Sequence, residues 1–249
     1  MSKGTGYPHL ANAPITEALI DIQVRYHELP TNDVLRSVAQ AMKDAFPLLE
    51  ERQQTTISIS MVPEAETNMV HQPYGFLLHS ADKHYAAQIL QDRFSLSRLT
   101  PYIDWADLRD QAKQFWQIYR DIAAPKRVVR LAVRYINKLL LPSPIEDFSV
   151  FFTKPIEIPE SLPQGLASYM TRMALPEPET GSVALIQQVL EGVTLENEVS
   201  IIFDIDTFKQ VDLAADNDEE IWSDLENLRD YKNRVFFKSL TNRAIELFQ

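Results

Sequence analysis

Asp204 and Asp206, in the run Ile-Phe-Asp-Ile-Asp that closes at 206, stand two residues apart where apolar and polar residues alternate. Side chains alternate along a strand, so both carboxylates point to one side and can hold a magnesium ion. A metal-dependent phosphate-handling enzyme would use this pair with Arg134 as a charge clamp. Such a site also needs a third acid and a base within reach, and no spacing marks either. The alternative is that the two acids pair with arginines on neighbouring strands.

A second constellation lies on two related stretches. Lys126 to Leu141, KRVVRLAVRYINKLLL, reads as a long strand with Val129, Leu131, Val133 and Tyr135 on one face. Arg130, Arg134 and Lys138 lie on the other. Ala18–Tyr26 reads as its counterpart, with Ile20, Ile22, Val24 and Tyr26 inward and Asp21, Gln23 and Arg25 outward. Asp21, Gln23, Arg25, Arg130, Arg134 and Lys138 therefore form a candidate face for a ligand or partner, because guanidinium groups fork onto phosphate and carboxylate. A solvated sheet face with internally paired charges is the plainer alternative.

Other groups carry less. His79 and His84 flank a hairpin turn at Ala81–Lys83 with His71 nearby, but their spacing matches no zinc motif, and surface histidines are the simpler reading. The acidic run Asp216, Asp218, Glu219, Glu220, Asp224 and Glu226 suits a basic partner, or simply the positive end of a helix dipole. No cysteine occurs, which excludes disulfides and thiolate chemistry, and only six glycines stand against fifteen prolines, so phosphate-cradling loops are not expected. No cofactor motif is present. A formal charge of −11 argues against a general polyanion binder, so nucleic acid is not the expected partner. No signal-peptide core and no apolar run of about 18 residues is found, so a cytoplasmic protein with no membrane partner is expected.

The elements that must position these groups follow from periodicity. Thr31 or Asn32 caps a helix striped by Val34, Val38, Met42, Ala45 and Phe46 and closed by Pro47. Thr55–Val62 alternates, with Ile57, Ile59 and Met61 opposite Ser58 and Ser60. After a loop at Pro63–Pro73, strands are expected over Tyr74–Ser80, Tyr85–Gln91 and Phe94–Leu99. Pro101–Ala123 forms a helix capped by Asp104, with Trp105, Leu108, Ala112, Phe115, Trp116, Tyr119 and Ile122 on one stripe. The proline-rich segment 142–178 is the least legible, with a short helix expected around Leu166–Ala174. Strands Val183–Leu190 and Glu198–Phe208 pair across a turn at Gly192–Asn197. Helix Asp218–Lys238 is striped by Ile221, Leu225, Leu228 and Val235, and Thr241 caps a last short helix. Phe236, Phe237, Leu240 and Phe248 exceed one stripe, which fits either core packing or a homodimer through the C-terminal helix.

The two halves, 1–124 and 125–249, run in the same order. Gln-Val-Arg-Tyr (23–26) matches Ala-Val-Arg-Tyr (132–135), and Trp-Ala-Asp-Leu (105–108) matches Trp-Ser-Asp-Leu (222–225). The expected class is α+β: two β-α-β(n)-α repeats forming one antiparallel sheet with helices on one face, in a saddle like that of TATA-box-binding-protein-like folds. The two Val-Arg-Tyr strands would be its central pair. The fold analogy says nothing about DNA.

Three phrases are spread along the chain: Asn12-Ala-Pro-Ile-Thr-Glu-Ala-Leu-Ile-Asp21; Phe94-Ser-Leu-Ser-Arg-Leu-Thr-Pro-Tyr102 with Trp105; and Arg134-Tyr-Ile-Asn137 followed by Leu141 and Pro142. As a set they resemble an uncharacterised prokaryotic family known for its sporadic distribution. The resemblance implies a cytoplasmic bacterial or archaeal protein and supplies no site residues. A patchy distribution favours a mobile defence or toxin–antitoxin locus.

With no coherent catalytic set, the expected function is non-enzymatic binding of another protein, a ligand or a second copy of the chain. An accessory or antitoxin/immunity-type role is the form the resemblance suggests. The metal-dependent enzyme and a nucleic-acid-binding saddle are the alternatives.

Overall fold

The computed structural model describes residues 6–60 and 66–249, and at 55–60 and 66–71 the backbone pairing alone. The strands are β1 (Ile15–Arg25), β2 (Leu48–Ser60), β3 (Glu66–His79), β4 (Tyr85–Leu90), β5 (Arg93–Leu99), β6 (Arg127–Pro142), β7 (Met170–Glu177), β8 (Ser182–Val193) and β9 (Glu198–Ala214). The helices are α1 (Asn32–Ala41), α2 (Trp105–Ala123), α3 (Asp218–Ser239) and α4 (Asn242–Glu246). All nine strands join one antiparallel sheet in the order β2-β3-β4-β5-β1-β6-β9-β8-β7. The chain is α+β, and β1 and β6 pair at the middle of the sheet.

Alternation decides the two faces. Ala18, Ile20, Ile22 and Val24 of β1 are buried beneath the helices, as are Leu131, Val133 and Tyr135 of β6. Val128 takes the core place expected of Val129. A register shift in β6, seen against both β1 and β9, advances the strand by one residue there and swaps the two valines.

The helices form where their caps say they should. Thr31, Asp104, Asn217 and Thr241 each accept a backbone N–H from the first turn of α1, α2, α3 and α4. Each cap satisfies an amide donor that the helix itself leaves unpaired, worth about 1 kcal/mol. Leu35 and Ala39 join the buried face of α1 while Ala45 is exposed, and Ala123 takes the place of Ile122 on α2. Leu35, Val38, Ala39 and Met42 keep the helical period, while Ala45 lies past the end of α1 and Ala123 is the last residue of α2. Arg109 of α2 reaches Glu226 of α3 at 3.1 Å, and Arg120 reaches Asp218 at 2.8 Å. The acidic start of α3 is thus partly matched within the chain.

Two expectations fail for tertiary reasons. The loop expected over Pro63–Pro73 is largely strand, since β3 begins at Glu66; β4 pairs with β3 only from Gly75, so Pro73 needs no ladder donor on that side. The facing of Ile57, Ile59 and Met61, and the side chain of His71, lie outside the described residues. The helix expected around Leu166–Ala174 is instead edge strand β7, paired along β8 from Met170 to Glu177. Its helix-forming residues yield to the open edge of β8, a pairing that no local pattern announces.

Two hydrophobic clusters share the core. One joins α1, α2 and the first half of α3 to the strands around β1. The other joins the second half of α3 and α4 to β8 and β9. Phe236, Leu240 and Phe248 are buried in the second cluster, and Phe237 is partly buried against it. The apolar surplus at the C-terminal end is therefore covered by the chain itself.

Candidate functional site

The face of the sheet away from the helices carries the charged residues singled out from sequence, and they pair with one another. Arg134 donates from Nε and Nη2 to both oxygens of Asp204, at 2.9 and 2.6 Å. Arg130 bridges two strands, reaching Asp21 and Asp206 at 3.1 Å each, with its guanidinium 4.5 Å over the Phe208 ring. Ser95 donates to Asp21 at 2.9 Å, and Lys138 lies 3.5 Å from Glu191. Gln23 is half-buried beside them, and Arg25 is exposed at the end of β1. Asp21 stands directly opposite Ser95, whereas Arg134 stands opposite Asp206 and reaches diagonally to Asp204, which lies opposite Ile136.

This closes the face as an open anion site. Its two central arginines already hold carboxylates. Asp204 and Asp206 are likewise engaged by guanidinium groups, and among the described residues no three acids or histidines gather as metal ligands. A metal at the pair would have to displace both arginines. Burial raises the Asp206 carboxyl above its ordinary value despite Arg130 and Arg134, and its Oδ1 has no partner among the described residues. Titration with magnesium or manganese is expected to release no heat. Saturable heat that disappears in Asp204→Asn would restore the metal reading.

His84 leans on Asp82 across its turn at 3.2 Å, an exposed local contact.

The structure brings together a different set, which the sequence did not single out. A cavity of about 540 Å³ opens where the two core clusters meet. Its walls come from residues 7–15, the segment 100–105, β6 and α3. Two aromatic pairs stand in these walls: Tyr7 stacks on Phe237 with centroids 4.6 Å apart, and Tyr102 meets Tyr135 edge-on at 5.5 Å. The two hydroxyls of that second pair lie 2.8 Å apart. Burial pushes both phenols well above their ordinary range.

Lys232 of α3 lines this cavity and is only 7% exposed. Its Nζ lies 3.6 Å from the centroid of the Tyr135 ring, a cation–π contact. Among the described residues it makes no hydrogen bond or salt bridge. Burial, helped by the charge of Arg229, pulls the amine down to about 7. The titratable groups around it are Arg229 and Asp230 on α3, Tyr135 on β6, Tyr102 and Asp104 on the facing segment, and His9. Trp105, which also lines the cavity, is 7% exposed, and its indole Nε1–H has no acceptor among the described residues. Asn233 beside Lys232 makes no side-chain hydrogen bond among the described residues. Of these donors, the Trp105 Nε1–H is a buried group without an acceptor among the described residues, where buried polar groups are ordinarily paired.

The cavity is fixed by the backbone around it. Asn12 donates its N–H to Phe248 and its side-chain amide to the Gln249 carbonyl, both at 3.0 Å, and Lys138 donates to Pro14 at 2.8 Å. Asn137 donates to the Phe203 carbonyl at 2.8 Å. The three phrases that carried the family resemblance all reach this one place, through Asn12–Ile15, Thr100–Tyr102 with Trp105, and Tyr135 with Asn137. One feature of the sequence marks this place. Lys232 falls on the apolar stripe of α3, four residues after Leu228, where a lysine has no reason to be for packing alone. A second hollow of about 690 Å³, beside residues 143–149 and the ends of β8 and β9, carries no unpaired buried polar atom among the described residues.

No helix of the described residues is long and apolar enough to cross a membrane. No family model matches the chain, and no curated protein matches it. Among solved structures, the di-domain ARO/CYC StfQ from the steffimycin biosynthetic pathway is similar at 7% identity, over 93% of this chain and 97% of that one. Its TM-score of 0.20 carries no argument about this chain's fold or activity.

Proposed function

We propose that the protein works by binding, and that its ligand is a small molecule with a flat apolar body and acceptor oxygens, held in the cavity beside Lys232. One observation carries the reading: among the described residues the amine of Lys232 makes no hydrogen bond or salt bridge, only the ring contact with Tyr135, and the neighbouring Trp105 N–H has no acceptor there either. A ligand oxygen would complete both donors, and the ring-lined walls suit an aromatic or otherwise planar body.

The repeat supports the same site. The offset that relates Arg25 to Arg134 also relates Ile22 to Leu131, and those two residues pair directly across β1 and β6. This is what a pseudo-twofold axis through the middle of a saddle would require. On the offset that relates Trp105 to Trp222, Lys232 corresponds to Phe115, which is buried at 4% exposure and packs edge-on against Phe46. The second half thus carries an amine where the first carries a core ring. The ligand-bound form could in turn engage another protein or a second copy of the chain, the role that a mobile defence or toxin–antitoxin locus would give it. The paired arginines make the opposite sheet face the weaker place for that contact.

Benzoate is a fitting probe, with a ring for the walls and a carboxylate for the donors. Calorimetric titration is expected to show saturable binding to one site, weakened at least about tenfold in Lys232→Met, since a charge-assisted hydrogen bond contributes about 1.5–3 kcal/mol. Absence of binding, or equal binding by the variant, would remove the reading.

A further inference from the structure

We infer that Lys232 is a carbonyl-capturing amine, forming an imine with an aldehyde or ketone borne on the planar ligand that the cavity accepts. The inference rests on the binding reading above and adds a covalent bond to it. Its warrant is the environment of one nitrogen. An ordinary lysine is protonated at neutral pH and holds no lone pair for attack. Lys232 is enclosed, has no carboxylate paired with it among the described residues, and sits near the positive charge of Arg229. These are the conditions under which a lysine becomes a nucleophile. With the amine at about 7, roughly half is neutral at pH 7, against fewer than about one in a thousand for an ordinary lysine.

The surroundings suit the step. The Tyr135 ring covers one side of Nζ at 3.6 Å, which leaves the cavity as the side of approach. The Trp105 N–H and the Asn233 amide remain to bind other oxygens of the same ligand. The neutral amine adds to the carbonyl carbon, forming a C–N bond while the carbonyl electron pair moves to oxygen. The nitrogen gives up a proton and the oxygen gains one, giving a carbinolamine. Loss of the hydroxyl with the remaining N–H proton releases one water and leaves the C=N bond. No electron is gained or lost, so no oxidant is needed. The paired hydroxyls of Tyr102 and Tyr135, 2.8 Å apart, belong to residues lining the same cavity and offer a relay through which a proton can pass.

Benzaldehyde with sodium cyanoborohydride tests this on the intact protein at pH 7. Hydride from the borohydride reduces the imine to a stable benzylamine, and peptide mapping by mass spectrometry locates it. The expected result is a single benzyl group on Lys232, formed at least tenfold faster than on any other lysine and suppressed by excess benzoate. Lys232→Arg, which keeps a cation but forms no imine, should lose that modification. Mapping on the unaltered protein does not depend on the variant folding. Modification confined to surface lysines, with Lys232 unreacted, would overturn the inference. Saturable benzoate binding in that case would leave the binding reading standing, and its absence as well would remove both.

Discussion

Replacing Lys232 with methionine is expected to stabilise the protein at neutral pH by about 2–4 kcal/mol, as read from the shift of the urea midpoint. Burial holds the amine at about 7 rather than 10.5, which disfavours the charged folded state by roughly 5 kcal/mol at about 1.4 kcal/mol per pH unit. Loss of the cation–π contact with Tyr135 gives back about 1–2 kcal/mol. Methionine fills a similar volume with no charge to desolvate. The pH dependence has a definite sign. Between about 7 and 10.5 the unfolded chain binds a proton that the folded chain does not. Unaltered protein therefore gains stability across that window as pH rises, and below about 7 the full destabilisation is present. The advantage of the methionine variant should be largest at pH 6 and shrink steadily towards pH 10. A destabilised variant, or an advantage independent of pH, would show that the amine is satisfied within the protein. A residue kept at a cost to stability fits a site selected for something other than packing.

Arg130→Met is expected to act in the opposite direction, with a loss of about 3–5 kcal/mol. Arg130 holds Asp21 and Asp206 together, and both are largely enclosed, with side-chain exposures of 10% and 22%. Removing one member of an enclosed ion pair leaves a desolvated charge behind, which costs more than the pair itself contributes. Asp21 keeps the Ser95 hydroxyl at 2.9 Å, with Arg93 more distant at 3.9 Å. Asp206 loses the hydrogen bond at its Oδ2, and its Oδ1 has none among the described residues. Its carboxyl, already raised by burial, should rise further. A carboxyl raised in the folded state retains its proton longer there than in the unfolded chain, so stability falls as pH rises from about 3.8 towards that higher value. The loss should accordingly be smaller at pH 5 than at pH 8, and Arg130→Met/Asp206→Asn should recover part of it. A loss under about 1 kcal/mol would mean that the ladder is wet and weakly coupled. Arg25, exposed at the end of its strand, should tolerate alanine with little change.

Much of this architecture is readable along the chain. Val133 and Tyr135 alternate with Arg134, Ile20 and Ile22 with Asp21, and Ile205 with Asp204 and Asp206. Each strand therefore declares which side meets the helices. Helix starts are equally plain, because Thr31, Asp104 and Thr241 have side chains that can replace a missing backbone acceptor. The pairing of Arg134 with Asp204 is half legible: alternation gives the face, while the partner depends on the register of β6 against β9. The edge strand β7 is not legible, because Met170–Leu175 favours a helix until β8 offers an unpaired edge. The cavity is the least legible feature. Its walls come from four distant segments, and only the misplaced polarity of Lys232 on an apolar stripe betrays it. Sequence pattern finds surfaces built within an element more readily than sites built between elements.

The most direct test of the account is nuclear magnetic resonance of the lysine side chains across pH, with and without benzoate. The account predicts one resonance, assigned to Lys232 by its absence in Lys232→Met, with a midpoint near 7, well below the ordinary lysine value. Saturating benzoate should move that one midpoint upward, because a carboxylate beside the amine favours its charged form. A Lys232 that titrates with the rest and ignores benzoate would contradict the account.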